Sequence, residues 1–305
     1  MTLFEPGYIR LHESGELARR IDAALDILNE CTLCPRKCRV NRSLGEKGAC
    51  RVGALPMVAS HGPHFGEERP LVGSHGSGTI FLSFCNMRCI FCQNFDISHL
   101  GAGREVQTRE LSEMMLSLRR QGCHNINFVT PTHQTAQILA ALPLAVEGGL
   151  DVPLVYNCGG YEEPATLRLL EGVFDIYMPD FKYGDSATAL RLSGIPSYVE
   201  TAKEALKEMH RQVGDLVTDE RGIAGRGLLV RHLVLPAGLA GTRKVMEFIA
   251  REISPDTYVN IMDQYRPCFH ASGNPPLDRR ITRAEFREAV AIAREEGIRR
   301  LGGEE

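Results

Sequence analysis

The 305-residue chain has no tryptophan, and aromatic residues make up only 7 % of it. Excess charge of either sign is also missing. Lys and Arg number 35 against 38 Asp and Glu, a formal net charge of −3, so no global basic field exists to draw nucleic acid or an anionic membrane. Long apolar runs are lacking as well. The opening MTLFEPGYIRLHESGEL interleaves Glu, Arg and His where a secretory segment needs a continuous apolar stretch, which predicts a cytoplasmic protein. Gln121 to Val146 carries no Asp, Glu, Lys or Arg, but it contains His124, Asn125, Asn127, His133, Gln134 and two prolines. That stretch reads as a buried strand followed by a buried helix, not a membrane span. No internal repeat or low-complexity segment is present, and the composition excludes disorder, collagen and coiled coil.

What is there is 43 % hydrophobic residues and 30 glycines, enough apolar material for one large core at a length that suits a single α/β barrel or two ordinary domains. Ten cysteines are about 3.3 % of the chain, far below a disulfide scaffold. In a reducing cytosol, clustered cysteines point to metal binding or redox chemistry.

Along the chain, Ser14 is placed to cap a helix bearing Leu17, Ile21, Leu25 and Leu28, and residues 31–53 are basic and cysteine-rich. Residues 54–78, rich in Gly, His and Pro, read as a connection. From residue 79, short apolar runs (Thr79 to Phe84, Asn125 to Thr130, Pro153 to Tyr156, Val173 to Met178, Leu228 to Leu235, Tyr258 to Met262) alternate with helical patterns. Leu111, Met114, Met115 and Leu118 follow helical spacing, and Thr282 with Glu285 forms a capping box. Six strand-then-helix units imply a parallel sheet with its chemistry at the carboxyl ends of the strands. The division expected is 1–78, a helix and cysteine-rich metal-binding segment, and 79–305, a barrel with a C-terminal helix.

The run TIFLSF leads straight into Cys85, Cys89 and Cys92, a C-x3-C-x2-C triad in a loop after a strand. Three thiolates can hold three irons of a [4Fe-4S] cluster, and the next cysteine, Cys123, is too distant in sequence to complete the set locally. The open iron suits a chelating ligand, and the amino and carboxylate groups of S-adenosylmethionine can fill it. The alternative is a zinc site or three buried thiols. Upstream, Cys31, Cys34, Cys38 and Cys50 form a closed C-x2-C-x3-C-x11-C set, fit for zinc or a second [4Fe-4S] cluster. Economy favours the cluster, which can relay electrons or bind substrate where zinc would only fold the segment. The same segment carries Arg36, Lys37, Arg39, Arg42, Lys47 and Arg51 against one acid, Glu46. These cations are read as offsetting an anionic centre, since no aromatic residue lies between Cys31 and Cys50 to stack on bases. His61, His64, His75 and His99 read as hydrogen-bonding loop residues; Cys123, Cys158 and Cys268 belong to neither set.

The triad, with aromatic Phe91 before its third cysteine, resembles the radical SAM superfamily signature. From about residue 79 to 268, through NINFVTPTH, YNCGGYE, DIYMPDFKY, RHLVLP and IMDQYRP, the chain looks like the subgroup named for pyruvate formate-lyase activating enzyme. The resemblance implies a partial (β/α)6 TIM-like barrel with a cysteine-rich N-terminal extension. It also implies reductive cleavage of S-adenosylmethionine to methionine and a 5′-deoxyadenosyl radical that takes hydrogen from a substrate, with a glycyl-radical enzyme as one candidate target. Met178, Asp180 and Lys182 match an M-x-D-x-K segment near the methionyl group. Asn157 to Gly160, including Gly159, match a polar-glycine turn; Arg231 matches an arginine serving the cofactor's carboxylate; and Phe91 would lie near the adenine. The chain departs from the family at Val129 to His133, where many members carry a Gly-Gly-Glu-Pro-like segment, leaving Thr130 or Thr132 at that contact. Asp263, Gln264 and Tyr265 are candidates for ribose or substrate contacts. The resemblance further implies a reductant such as flavodoxin or ferredoxin and leaves room for a protein substrate, without membrane or nucleic acid as partner. The competing reading is a cysteine-rich iron–sulfur or zinc module for binding or electron transfer, without S-adenosylmethionine chemistry.

Overall fold

The computed structural model describes residues 4–302. Its sheet consists of β1 (Met57–His64), β2 (Ser77–Leu82), β3 (Arg104–Glu105), β4 (Ile126–Val129), β5 (Leu154–Cys158), β6 (Ile176–Pro179), β7 (Val217–Thr218), β8 (Ala224–Leu233), β9 (Tyr258–Met262) and β10 (Arg300–Gly302). The strand order is β10-β9-β8-β6-β5-β4-β2-β1-β3, with β7 against β8. Every neighbouring pair from β2 to β10 on that path is parallel. All six strands expected from the apolar runs are present, and β10 adds a short one beyond β9. The sheet has two free ends, β10 and β3, so it is an open, partial barrel.

Strand alternation divides the core. Phe128, Tyr156, Tyr177 and Leu228 face the surrounding helices in the main cluster, whereas Val155, Ile176, Met178 and Leu229 face the concave side and form a separate one. The helix Thr108–Arg120 opens with a Gln107–Glu110 capping box and the helix Arg283–Glu295 with the expected Thr282–Glu285 box. The uncharged stretch from Gln121 folds as anticipated into β4 and the buried helix Thr135–Glu147. Among the described residues no helix is long and apolar enough to cross a membrane.

Two local expectations are corrected. Ser14 is not the N-cap of the first long helix, Glu16–Asp26, although its Oγ accepts from the Glu16 N–H at 3.4 Å. Gly15 occupies the N-cap with φ 75°, a left-handed conformation that glycine adopts without Cβ strain, and a preceding helix Gly7–Glu13 ends at Ser14. Residues 54–78 are not a mere connection: β1 pairs antiparallel with β2. The chain then turns under the barrel through a short helix, Arg69–Val72. Leu71 of that helix is fully buried among Val155, Ile176, Met178 and Leu229. It stoppers the barrel at the end where the parallel strands begin.

The N-terminal helices are tied to this scaffold. Tyr8 is fully buried and its hydroxyl donates to the Val152 carbonyl at 2.9 Å. The Asp175 carboxylate accepts from the backbone N–H of Gly7 at 3.1 Å and of Leu154 at 3.2 Å, joining the first helix to the start of β5.

Candidate active site

After β2 the backbone breaks direction at Phe84, whose φ of 66° is left-handed, and its N–H donates to the Ile97 carbonyl. The loop so formed carries Cys85, Cys89 and Cys92 and is stitched to the helix Ser186–Ser193 by Arg88 N–H to Ser193 O and Ile90 N–H to Leu192 O. Each sulfur has a polar neighbour. The Met87 N–H donates to Cys85 Sγ at 3.3 Å, the Ser193 hydroxyl donates to Cys89 Sγ at 3.0 Å, and Ser98 Oγ lies 3.1 Å from Cys92 Sγ. Burial pushes the Cys85 and Cys89 thiols up. At Cys89, Lys182 works against that rise, and Cys92 adds to it. These are the surroundings of sulfurs that need a soft cation to become thiolates, with N–H and O–H donors in place for them once ionised.

Below the loop lies a cavity of about 320 Å³, lined among others by Cys89, Phe91, Cys92, Asn157, Asp180, Lys182, Arg231 and Gln264. That volume falls within the range of small-molecule sites. Asn157, Asp180 and Arg231 come from the carboxyl ends of β5, β6 and β8. Arg231 Nε donates to Asp180 Oδ1 at 2.8 Å, its Nη2 donates to Asn157 Oδ1 at 2.6 Å, and Lys182 Nζ bonds the other oxygen of Asp180. Burial alone would lift the Asp180 carboxyl; Arg231 first and then Lys182 outweigh it and hold it below the ordinary value. Burial likewise opposes the charge on Lys182, but Asp180 and then Cys89 keep the ammonium above its ordinary value. The wall is therefore fully ionised, two cations about one carboxylate.

The remaining expected residues are distributed around this wall. Phe91 is buried, edge-on to Tyr183 and Tyr265. Thr130 has φ 61° and its N–H donates to the Asn157 carbonyl, so it fixes the turn beside the cavity. Gly159 approaches Met87 so closely that a Cβ would press on its sulfur. The Tyr198 hydroxyl donates toward the carbonyls of Gly159 and Asp180 and accepts from the Lys182 N–H. Met178 does not line the cavity; it is fully buried beside Leu71 in the cluster beneath. Thr132 turns away, donating to Glu162, a carboxyl that burial raises to about 7. Cys158, one residue past Asn157 on the strand, lies on the opposite face from the cavity, buried near Glu162. Asp263 is exposed, and Tyr265 is buried with its hydroxyl on Leu277 O.

Sequence reasoning missed Glu67 and Glu68. Their side chains are 7 % and 5 % exposed, and they rise from the chain beneath the barrel to meet Arg231, with Glu67 Oε2 at 3.5 Å from Nη1 and Glu68 Oε1 at 4.0 Å from Nε. Adjacent acids in a Gly-rich stretch look solvated. Only the pairing of β1 with β2 carries them into the lumen.

The second cysteine set also assembles. Cys31, Cys34, Cys38 and Cys50 line one enclosed space together with Arg36, Arg42 and His133. The chain reaches it through three left-handed residues, Lys37, Arg39 and Arg51. Arg42 is only 1 % exposed; it donates to the carbonyls of Gly53 and His133 and lies 3.9 Å from Cys31 Sγ. Burial pushes the Cys34 thiol up to about 12 and raises Cys50, where Arg42 works against the rise. Two further cations are occupied: Arg36 donates to Asn86 O, and Lys37 pairs with Glu163 at 3.0 Å. With Arg88 donating to Ala49 O at 3.2 Å, these bonds seat the two cysteine segments directly on each other. Among the described residues, no three His, Cys, Asp or Glu side chains converge on a position for a single metal ion.

Residues 79–221 match the family model described as the radical SAM superfamily. Over 284 residues the chain is 33 % identical to the uncharacterized protein MJ0674 of Methanocaldococcus jannaschii, covering 90 % of this chain and 77 % of that one. Among solved structures it is similar to HydG, a maturase of the [FeFe]-hydrogenase, with TM-score 0.44 and 12 % identity over 72 % of this chain. It spans about half of that protein, 49 %.

Proposed function

The chain belongs to the radical SAM superfamily, and from that premise we propose that Cys85, Cys89 and Cys92 hold a [4Fe-4S] cluster and that the cavity beneath them binds S-adenosylmethionine. The observation that carries this reading is that Cys89 and Cys92, on the triad's loop, line a cavity whose wall is Asn157, Asp180, Lys182 and Arg231. When bound, the cluster would supply the electron for reductive cleavage of S-adenosylmethionine, the chemistry by which hydrogen would be taken from a substrate. The chain's own part is to bind and orient. Lys182 and Arg231 offer cations to the carboxylate of the methionyl group, and Asp180 keeps both charged and in place. Phe91 presents an apolar ring for the adenine, Thr130 and Gly159 shape the turns around it, and Met178 packs the layer that supports Asp180.

The four N-terminal cysteines line one space, with Arg42 as a buried cation beside them, and would hold a second [4Fe-4S] cluster, whose thiolates each bind a different iron; a zinc ion would need the four sulfurs drawn onto one point. That set is seated on the triad's loop, so a cluster there would relay electrons from a reductant such as a flavodoxin or ferredoxin. A glycyl-radical enzyme is one target consistent with the subgroup that the sequence resembles. The experiment is anaerobic reconstitution with iron and sulfide, then dithionite and S-adenosylmethionine. 5′-Deoxyadenosine is expected from the wild type and not from Cys89→Ala. Absence of cleavage by the iron-replete wild type overturns the reading.

A further inference from the structure

The floor of the cavity is chemically unlike its wall. Glu67 lines it, and Glu68, beside it, accepts from Asn260 Nδ2 at 2.9 Å through one carboxylate oxygen. The other oxygen, Oε2, is buried without a hydrogen-bond partner. Asn127 is fully buried, and neither its amide oxygen nor its amide nitrogen has a partner. It stands two residues before Val129, which lines the cavity, so strand alternation turns it to the same face of β4. Nδ1 of His64, at the cavity's edge, is a further buried nitrogen without a hydrogen bond, 3.5 Å from Glu67 Oε1. Buried polar atoms are nearly always satisfied, and four unsatisfied atoms on His64, which lines the cavity, and on Glu68 and Asn127, next to residues that line it, call for partners.

Charge decides what kind of guest. Three carboxylates, Asp180, Glu67 and Glu68, face two cations, Lys182 and Arg231, and both cations bond Asp180 directly. Glu67 approaches Arg231 Nη1 at 3.5 Å and Glu68 its Nε at 4.0 Å, the nitrogen already bonded to Asp180, and the imidazole of His64 stands 3.5 Å from Glu67. Among the groups that meet Asp180, Glu67 and Glu68 here, carboxylates outnumber full cations, above a layer in which Leu71 is buried. Burial raises the Glu67 carboxyl despite Arg231 and His64, in keeping with that shortage. An ammonium group offers three donors and the missing charge to the acceptors among these atoms, Glu68 Oε2 and Asn127 Oδ1, whereas Asn127 Nδ2 is itself a donor and calls for an acceptor elsewhere on the guest.

We propose that Glu67, Glu68 and Asn127 form the recognition site for a small substrate bearing a protonated amine, which enters the lumen beneath the reacting centre. This deepens the reading above, on which it rests for the position of the cofactor. Such a substrate places its amine on the floor and turns the carbon beside it toward the triad.

The test titrates the reconstituted enzyme with n-propylammonium and with 1-propanol, following each probe by NMR line broadening, with and without S-adenosylmethionine. The ammonium is expected to bind about tenfold or more tightly than the alcohol, the scale of a hydrogen bond to a charged group. In the Glu67→Gln/Glu68→Gln variant the preference should vanish while S-adenosylmethionine still binds, because Asp180 continues to hold Lys182 and Arg231. Should the double variant fail to fold, Glu68→Gln alone must lose part of the preference. Equal binding of the two probes, or an unchanged preference in the variants, overturns the proposal. So does loss of S-adenosylmethionine affinity in the variants, which would assign the glutamates to the cofactor's own amine. If the wild type binds no S-adenosylmethionine yet discriminates the probes, the cofactor reading fails and the acidic floor stands.

Discussion

Replacing Arg231 by Gln tests whether the wall of the cavity is an electrostatic unit. The side chain is 17 % exposed and is the cation common to Asp180, Glu67 and Glu68. Removing one partner of a buried ion pair costs about 3–5 kcal/mol because the charge left behind is uncompensated. Lys182 still bonds Asp180 in the variant, so about 3 kcal/mol, the lower end, is expected at pH 8. The pH dependence carries the sharper information. In the wild type Asp180 is held below its ordinary value, so its stabilisation is present above that value and is lost only in acid, as pH falls through the lowered one. In Arg231→Gln burial meets less opposition and the carboxyl moves up. Protonation then relieves the variant as pH falls. The stability gap should be widest near pH 8 and shrink steadily toward pH 5. Urea unfolding of the apoprotein under reducing, anaerobic conditions measures it, and Arg231→Lys should fall between the two because it keeps the charge and loses the fork. A gap below about 1 kcal/mol, the size typical of an exposed pair, or one constant with pH would refute the reasoning.

Three other outcomes follow from the structure. Gly160 has φ 76°, and a Cβ there would press on the Asp180 carbonyl. Gly160→Ala should cost about 1–3 kcal/mol and weaken S-adenosylmethionine binding; unchanged melting and affinity would count against the turn as a template for Asp180. Asp175 is raised by burial from 3.8 to about 7, so its favourable contribution is complete below pH 4 and lost as pH rises toward 8, at most about 4 kcal/mol. Asp175→Asn should show a constant offset from its missing acceptor but lack that slope, and parallel stability–pH curves for the two proteins would reject the shift. Cys34→Ser should lower the iron of the reconstituted protein by about four atoms per chain if the N-terminal set holds a cubane, whereas unchanged iron with a loss of zinc assigns that set to zinc.

The parallel strands were legible because both their faces are covered, which makes each a continuous apolar run such as Thr79 to Phe84. The cysteine sets were legible as clusters because their members are close in sequence, and the structure lines one space with the four N-terminal ones. β1 was not: its residues ASHGPH are partly exposed and carry Gly and Pro, so neither apolar run nor strict alternation marks it. Glu67 and Glu68 were hidden for a deeper reason. Their burial is decided by the antiparallel pairing of β1 with β2, a contact between segments whose local sequences say nothing of each other. The basic stretch around Cys31 to Cys50 reads from sequence as offsetting charge, but nothing local singles out Arg42, whose burial depends on carbonyls at Gly53 and His133.

The stopper formed by Arg69–Val72 separates two lengths of chain that are easily taken as one. The recognisable family signature begins at residue 79, yet the tube it builds has an open lower end until Leu71 and the glutamates before it are threaded inside. A fragment started at the signature would keep the cysteine triad and the ionised wall and leave its lumen flooded. Conversely, a dozen residues exchanged between β1 and β2 would refit the interior of the barrel without touching a single strand that builds it.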